Sequence, residues 1–356
     1  MSNSITDSAF PSPYQSVMSE LRGQKKSGTK TPFTVYDGIL PRCRRERILR
    51  NRGLGMVYRK ASYRIEYPNV RIYRTVEANE KGHNDVRIVY ETPYGNLTGA
   101  AEDVGYTTWT HAYPFKGKDD YKALDFIFRD AVVVPDYPAV ASLQKTLGDD
   151  FVIRDQISLE PIQSLISTYM GTETFCLEWM DNRDMVLEIY RSLVELARKV
   201  YPVVADSPLE FANYGGNVTP SVIGLDIFVK YYCPNYEEAA EILHKTGTLI
   251  GSHLDADNTV IMDAVAKTPL DYIEAYDPGV GPPLSEAIKK WPDKAIWINY
   301  PCAWHLESPE RIFELTKGLI RDARESKGFV IGITDDVPPD RLFDNYEAIM
   351  DAIYDA

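Results

Sequence analysis

The feature that most constrains the fold is an alternation of strand-like and helix-like segments that runs from Tyr121 to the C-terminus. Short apolar runs predict strands near 151–157, 207–212, 247–253, 270–275, 294–300 and 328–333, with helices between them, for instance at 182–200, 236–246, 308–326 and 341–354. No G-x-G-x-x-G motif accompanies them. The alternation therefore predicts an α/β fold with a parallel sheet closed as a (β/α)8 TIM barrel. An open, doubly wound sheet is the structural alternative.

The N-terminal third differs from this alternating region in composition and in hydrophobic pattern. Residues 1–30 are rich in Ser, Pro and Lys and predict an N-terminal arm with one helix at about 14–22. Residues 55–110 alternate polar and apolar side chains, which predicts a β-rich, antiparallel insertion. We therefore expect a single barrel domain over 31–356, with the insertion at about 55–110.

Composition excludes several classes of function. The 356 residues carry 39 basic and 52 acidic side chains, and this formal charge of −13 argues against a nucleic-acid ligand. No stretch resembles a membrane helix or a signal peptide, so a cytoplasmic protein is expected, without a membrane partner. The four cysteines form no C-x-x-C pair, which argues against a disulfide framework or a zinc ribbon.

Polar side chains cluster directly after the predicted strands. In a barrel such positions converge on one rim, where active sites are built from several strand ends. This clustering favours the barrel over the open sheet. The residues concerned are Asp155, Gln156, Glu210, Asn213, His253, Asp255, Glu274, Asn299, Cys302 and 334–336.

The segment GSHLDADN at 251–258 carries the strongest chemical signal. His253 and Asp255 are two residues apart and share one face if the strand continues through them. They could bind zinc or act as acid and base; in a zinc site, Glu274 and Cys302 from the next strand ends would complete an N/O/S ligand set. The alternative is a rim histidine beside a helix-capping Asp255.

Further assignments follow from the same rim. We predict His253, Asp255 and Glu210 as catalytic residues, and His253, Glu274 and Cys302 as metal ligands. A nucleophilic pair of Cys302 with His305 ranks below metal binding, because no oxyanion-loop context accompanies it. The predicted substrate-binding residues are aromatic or amide side chains, among which Trp109 and Tyr113 belong to an aromatic-rich segment that suits a ring-bearing ligand: Tyr36, Trp109, Tyr113, Asn213 and Asn299.

Several segments in their order resemble the uroporphyrinogen decarboxylase-like superfamily. They are ETPYGNLTG (91–99), GGNVTP (215–220), YYCPNYEEA (231–239), H-x-D-x-x-N (253–258), DYIEAYDP (271–278), INYP (298–301) and GITDDVPPD (332–340). The resemblance covers roughly 30–354 and is most specific from Gly215 to Pro339. Within the superfamily, the chain is closer to the methyltransferases that feed corrinoid proteins, including those that demethylate aryl methyl ethers.

The resemblance implies a zinc-dependent transfer of a methyl group from a methylated substrate, with a methoxylated aromatic as the expected donor, to the Co(I) of a corrinoid protein. That partner would carry the cobalamin, and a homodimer is a further expectation. Two departures bear on the branch. The Arg-rich segment that grips the decarboxylase substrate is absent, and the His-x-Cys zinc pair is replaced by His253-x-Asp255. A cofactor-independent decarboxylase or lyase remains the alternative, together with a non-catalytic binding protein.

Overall fold

The computed structural model describes residues 11–25, 28–105 and 107–356. Within these ranges the strands are β1 (Phe33–Tyr36), β2 (Leu54–Arg59), β3 (Tyr63–Glu66), β4 (Arg71–Ala78), β5 (Asn84–Thr92), β6 (Gly95–Asp103), β7 (Thr108–Ala112), β8 (Val132–Pro135), β9 (Phe151–Ile157), β10 (Phe211–Tyr214), β11 (Leu249–His253), β12 (Tyr272–Tyr276), β13 (Ala295–Asn299) and β14 (Phe329–Ile333). The helices are α1 (Pro13–Leu21), α2 (Arg44–Asn51), α3 (Tyr121–Asp130), α4 (Tyr137–Leu147), α5 (Pro161–Ser164), α6 (Thr172–Asp181), α7 (Arg183–Ala205), α8 (Pro220–Tyr231), α9 (Cys233–Leu243), α10 (Met262–Val265), α11 (Leu284–Lys290), α12 (Pro309–Asp322) and α13 (Leu342–Asp355).

Eight of the strands close into a parallel barrel in the order β1-β14-β13-β12-β11-β10-β9-β2. Each strand pairs in parallel with its two neighbours, and helices fill the connections. This topology confirms the predicted (β/α)8 barrel and excludes the open sheet, because β1 pairs with both β14 and β2.

The extra β-structure lies between β2 and β9. Strands β4 to β7 form an antiparallel four-stranded sheet, and β3 pairs with β8. The insertion predicted for 55–110 therefore starts too early, since Leu54–Arg59 is a barrel strand. Alternation of period two is common to barrel and insertion strands, so the pattern alone does not separate them.

The barrel interior is filled by alternate residues of the strands. Val57, Val152, Phe211, Tyr272 and Trp297 belong to one buried cluster at its centre. The cluster also includes side chains of α1, namely Val17, Met18 and Leu21.

Helix α1 lies across the amino-terminal ends of the strands. Its Glu20 carboxylate accepts the backbone N–H of Phe329, the first residue of β14, at 2.8 Å. The backbone N–H of Tyr14 donates to the carbonyl of Asp149, which precedes β9, at 3.2 Å. The amino-terminal end of the barrel is thus closed, and the carboxyl end is left for a site.

Across the part of the chain that the structure describes, no helix combines the length and the apolar character needed to cross a membrane.

Candidate active site

A buried carboxylate, Glu274 on β12, organises the carboxyl end of the barrel. Its Oε1 accepts the hydroxyl of Tyr36 at 2.7 Å and forms an ion pair with the guanidinium of Arg154. Its Oε2 accepts the amide of Asn213 and Nδ1 of His253, each at 2.7 Å. Each oxygen thus has two protein partners, so neither is left free for a ligand. Side chains from five barrel strands, β1 and β9 to β12, thus meet at this carboxylate.

The ion pair of Glu274 with Arg154 is fully inside the protein. Burial alone would raise the pKa of Glu274, but Arg154 and His253 outweigh it and hold the pKa far below its usual range. Glu274 in turn raises the pKa of Arg154, against the effect of burial. Both groups are therefore charged, and each depends on the other for compensation.

His253 ends β11 and presents its ring to the mouth of the barrel. Burial lowers the pKa of His253, but the carboxylates of Glu274 and Asp255 outweigh burial and raise it to about 9. The imidazole is therefore protonated at neutral pH and donates from both nitrogens. Nε2 lies 3.5 Å from Oδ2 of Asp255, which is longer than a good hydrogen bond. This N–H is available to a bound oxygen, so His253 is built to act as a proton donor.

A glycine turn fixes the position of His253 from behind. A Cβ atom on Gly216 would lie 3.1 Å from Cβ of His253, and the φ of 149° at this position also favours glycine. The adjacent Gly215 and Asn217 have φ of 69° and 54°, in the left-handed region. The turn is held by Glu160, which accepts the N–H of Gly216 at 3.2 Å and the hydroxyl of Tyr236.

Glu160 is a buried acid that the sequence-based prediction missed. Burial raises its pKa to about 7, although hydrogen bonds from Tyr236 and Gly216 lower it. The signal was present in the sequence, because Glu160 follows β9 in the same way as the strand-end acids that were recognised.

A second sector of the mouth, after β12, β13 and β14, is acidic. Asp335 accepts the amide of Asn299 at 2.6 Å and the thiol of Cys302 at 3.4 Å. Burial and the nearby carboxylates of Asp335 and Asp255 raise the pKa of Asp277. Burial and Asp335 likewise raise the pKa of Cys302 to about 12, so its thiol is protonated.

The predicted zinc ligands do not fit a metal ion as they are arranged. Both carboxylate oxygens of Glu274 are bound by protein groups, one of which is Nδ1 of His253. The thiol of Cys302 bonds Asp335 instead. Among residues 11–25, 28–105 and 107–356, no group of three or more His, Cys, Asp or Glu side chains is placed to hold a metal. Of the predicted ligands, His253 keeps its Nε2 beside a carboxylate, 3.5 Å from Oδ2 of Asp255.

Glu210 was predicted on the rim, and that position is wrong. It precedes Phe211, the first residue of β10, and lies at the amino-terminal end, where it accepts the hydroxyl of Tyr14 at 2.7 Å and pairs with Arg22. The error came from the strand boundary. The apolar Leu209 was counted into a strand at 207–212, whereas β10 runs over Phe211–Tyr214 and places Asn213, not Glu210, at the carboxyl end.

The predicted aromatic pocket is not formed by the residues proposed for it. Trp109 is exposed on β7 and pairs with Glu102 across the insertion sheet. The ring of Tyr113 packs over Gly171, at the start of α6. His305, the weaker nucleophile partner, is buried beside Asn345, and burial lowers its pKa to about 4. None of these contacts involves the network around Glu274.

Two arginines of the mouth were also missed. Arg154 was passed over in favour of Asp155, which faces away from the interior and accepts the backbone N–H of Ser62 at 2.9 Å. Arg59 ends β2 and pairs in register with Arg154. Both follow interior valines, Val57 and Val152, by two residues, and that spacing is the signal that places them inside the barrel.

The chain is similar in structure to a methyltransferase from Methanosarcina mazei, with a TM-score of 0.52 and 9% identity, over 97% of this chain and 86% of that chain. It also matches the pneumococcal virulence factor StrH (TM-score 0.40, 11% identity, 94% and 84% of the two chains). A further match is to a structure on the tandem GH20 catalytic modules of the pneumococcal exo-beta-D-N-acetylglucosaminidase StrH (TM-score 0.37, 11% identity, 94% and 86%). No family model and no curated protein matches the chain. At 9% identity the first similarity supports the barrel fold alone.

Proposed function

We propose that this chain is a methyltransferase that moves a methyl group from a methoxylated aromatic compound to the Co(I) of a corrinoid protein. The observation that carries the proposal is the geometry of His253, whose Nδ1 bonds the buried Glu274 while its Nε2 lies 3.5 Å from Asp255; Glu274 in turn is paired with Arg154. The motif order from Gly215 to Pro339 supports methyl transfer as the reaction. The similarity in fold to a methyltransferase is consistent with it.

The chemistry required of the chain is activation of the leaving oxygen. When the bond between the methyl carbon and the ether oxygen breaks, its electron pair stays on the oxygen, and an aryloxide leaves poorly without a proton. His253 supplies that proton from Nε2, and the product leaves as the phenol. The corrinoid supplies the nucleophile that takes the methyl group. Glu274 keeps the imidazole charged until the proton is transferred, and its hydrogen bond to Nδ1 keeps the ring oriented.

The rim around the mouth supports docking of a protein partner. Exposed apolar side chains occur in or after the loops that follow four consecutive strands, β10 to β13: Val229, Val260, Val280 and Leu306. In a parallel barrel these segments lie on the side of the active site. Exposed apolar side chains beside a charged mouth suit a partner that delivers a cofactor to it.

Zinc is implied by the family resemblance, but the ligand set His253, Glu274 and Cys302 does not gather around a common point. We therefore derive no step from a metal, and we assign activation of the leaving oxygen to His253.

The experiment is a methyl-transfer assay with a reduced Co(I) corrinoid protein and a panel of methoxylated aromatic donors. We expect phenol and methylated corrinoid in equal amounts. His253→Gln should lower the rate by roughly 10²- to 10⁴-fold, the usual effect of losing a general acid. The loss should be smaller for donors whose phenols are more acidic, because these need less help from a proton donor.

Asp257→Asn is the matched control, since Asp257 lies in the same loop but bonds Thr259 rather than the network of His253. It should leave the rate unchanged. Equal losses for all donors in His253→Gln would reduce His253 to a structural role. Release of carbon dioxide, or full product formation without the corrinoid protein, would favour the decarboxylase alternative.

A further inference from the structure

Strand β4 is an open edge of the insertion sheet. In the order β4-β5-β6-β7 it pairs with β5 on one side, and no strand of the described chain pairs with its other side. All eight residues of β4 are exposed, including the large apolar side chains of Ile72, Tyr73 and Val76. Because both faces of the strand are exposed, the unpaired backbone N–H and C=O groups of this edge are accessible to another strand.

The two edges of this sheet differ in how they are protected against pairing. At the opposite edge, β7 is five residues long, and its register with β6 shifts between Ala100 and Ala101. By contrast, β4 pairs with β5 without interruption from Arg71 to Ala78 and contains no proline. Short strands, bulges and prolines keep an edge from pairing. Strand β4 lacks all three, so its charged side chains decide which strand it can receive.

The charged residues of β4 are Arg71, Arg74 and Glu77, and none of them forms an ion pair with another described residue. Glu77 lies directly opposite Asp85 of β5, and like charges at opposite positions destabilise a sheet. Arg87 of β5, opposite Thr75, forms no ion pair with either carboxylate in the described chain. A cation on the open side of β4 would therefore offset the repulsion between Glu77 and Asp85.

We propose that β4 pairs antiparallel with β4 of a second copy of this chain, about a two-fold axis at Arg74. Such an interface brings the same surface of both copies together, so each contact off the axis occurs twice. The two four-stranded sheets would then form one continuous sheet across the axis. In this register each listed residue of one copy lies opposite its partner in the other: Arg71 opposite Glu77, Ile72 opposite Val76, and Tyr73 opposite Thr75.

The charges of β4 select this register. Two contacts between Arg71 and Glu77 flank the axis, and one like-charge contact, of Arg74 with its own copy, lies on it. An axis at Thr75 would avoid the like-charge contact, but it would separate both pairs of opposite charges and both pairs of large apolar side chains. The strand is thus complementary to itself in charge and in apolar character, which favours a second copy over an unrelated extended segment.

The test is analytical ultracentrifugation of the full-length protein over a range of concentrations, without substrate or corrinoid protein. We expect the wild type to show an equilibrium between monomer and dimer. Glu77→Arg should weaken the dimer by roughly 10-fold or more, because it replaces two contacts of opposite charges with two contacts of like charges. Within one copy the same change places a cation opposite Asp85, so the free energy of unfolding should not fall. Weaker association therefore cannot come from a damaged fold.

A second variant tests the register itself. Arg71→Glu should also weaken the dimer, but an equimolar mixture of Arg71→Glu and Glu77→Arg should form a heterodimer, because opposite charges then meet at both positions. Arg74→Thr should tighten the dimer, since it removes the like charges on the axis. Thr110→Lys, on the exposed opposite edge β7, is the matched control and should associate as the wild type does.

Two results would overturn the inference: a wild type that stays monomeric at every concentration, or a dimer that Glu77→Arg leaves intact. The first would assign the open edge to a different occupant, and the second would assign the dimer to a different surface. A mixture of the two variants that does not associate, or a weaker dimer in Arg74→Thr, would overturn the register about Arg74. The measurement involves no methyl transfer, so its outcome is independent of the proposed function.

Discussion

The two ends of the barrel carry the same three residue types in two different environments. At the amino-terminal end, Glu210 accepts the hydroxyl of Tyr14 and pairs with Arg22. These groups are open to water, with 44% of the Glu210 side chain and 36% of the Arg22 side chain exposed. Solvent and dissolved salt screen such a pair, so it contributes little to stability.

At the carboxyl end, Glu274 accepts the hydroxyl of Tyr36 and pairs with Arg154, but here 0% and 3% of the two charged side chains are exposed. The carboxylate of Glu274 also bonds His253, whereas Glu210 bonds Tyr14 and Arg22. In this setting the ion pair is unscreened and keeps the imidazole charged. The two ends use the same residue types. Burial and the contact with one histidine therefore distinguish the candidate active site around Glu274 from the structural contacts of Glu210.

The largest effect should follow from neutralising the buried carboxylate. Glu274→Gln leaves Arg154 buried without a counter-charge, and we expect the free energy of unfolding to fall by about 3–5 kcal/mol. Urea unfolding followed by tryptophan fluorescence measures this loss.

A double variant, Arg154→Met with Glu274→Gln, keeps that result interpretable. It removes the unpaired charge and should recover much of the lost stability. If the unfolding free energy of Glu274→Gln lies within about 1 kcal/mol of the wild-type value, the buried network stabilises the fold no more than the exposed pair does.

A smaller effect should appear in the pH dependence of stability. The pKa of His253 is raised in the folded protein to about 9, so folding favours the protonated imidazole. Its contribution is complete below the unfolded pKa of about 6.5 and is lost as the pH rises through 9. The difference in unfolding free energy between wild type and His253→Gln should shrink by about 3 kcal/mol from pH 6 to pH 10.

Subtracting the variant removes the contributions of other titrating groups, including Glu160, whose raised pKa also lowers stability as the pH rises. A difference that stays constant over this range would show that the imidazole is not held in its charged form by Glu274.

The smallest effect belongs to the amino-terminal end. Glu210→Gln keeps an acceptor for Tyr14 and loses only an exposed ion pair, so we expect a change of about 0–1 kcal/mol in unfolding free energy and no change in methyl transfer. The same unfolding and transfer assays measure both. A large loss of activity in this variant would mean that the two ends of the barrel are coupled, and would restore the predicted catalytic role of Glu210 by an indirect route.

The sequence predicts the barrel correctly because a buried parallel strand leaves a compact apolar run, and the order of such runs reports the topology. It also locates the rim, since the residues after β11, β12 and β13 are found where the alternation places them. His253 and Glu274 were identified in this way, and the structure brings them together.

The residues of the site were harder to predict from the sequence than the fold, for physical reasons. Which of two adjacent residues faces the interior depends on the register with neighbouring strands, so Asp155 was chosen where Arg154 is the inward residue. A boundary error of four residues moved Glu210 from one end of the barrel to the other. The exposure of Trp109 depends on how the insertion sheet packs, which no local pattern reports.

Helix α1 defines where the folding unit of this chain begins. Residues 1–30 were predicted as an N-terminal arm, of which 1–10 and 26–27 lie outside the described residues; Val17, Met18 and Leu21 of this arm pack against the interior residues of the barrel. Glu20 and Tyr14 anchor α1 to β14 and to the segment before β9. A chain shortened to begin at Thr31 would keep all eight barrel strands. Without α1, water would reach the packed interior of the barrel at the amino-terminal ends of the strands. The smallest autonomous piece of this protein therefore starts at the helix that precedes its first strand.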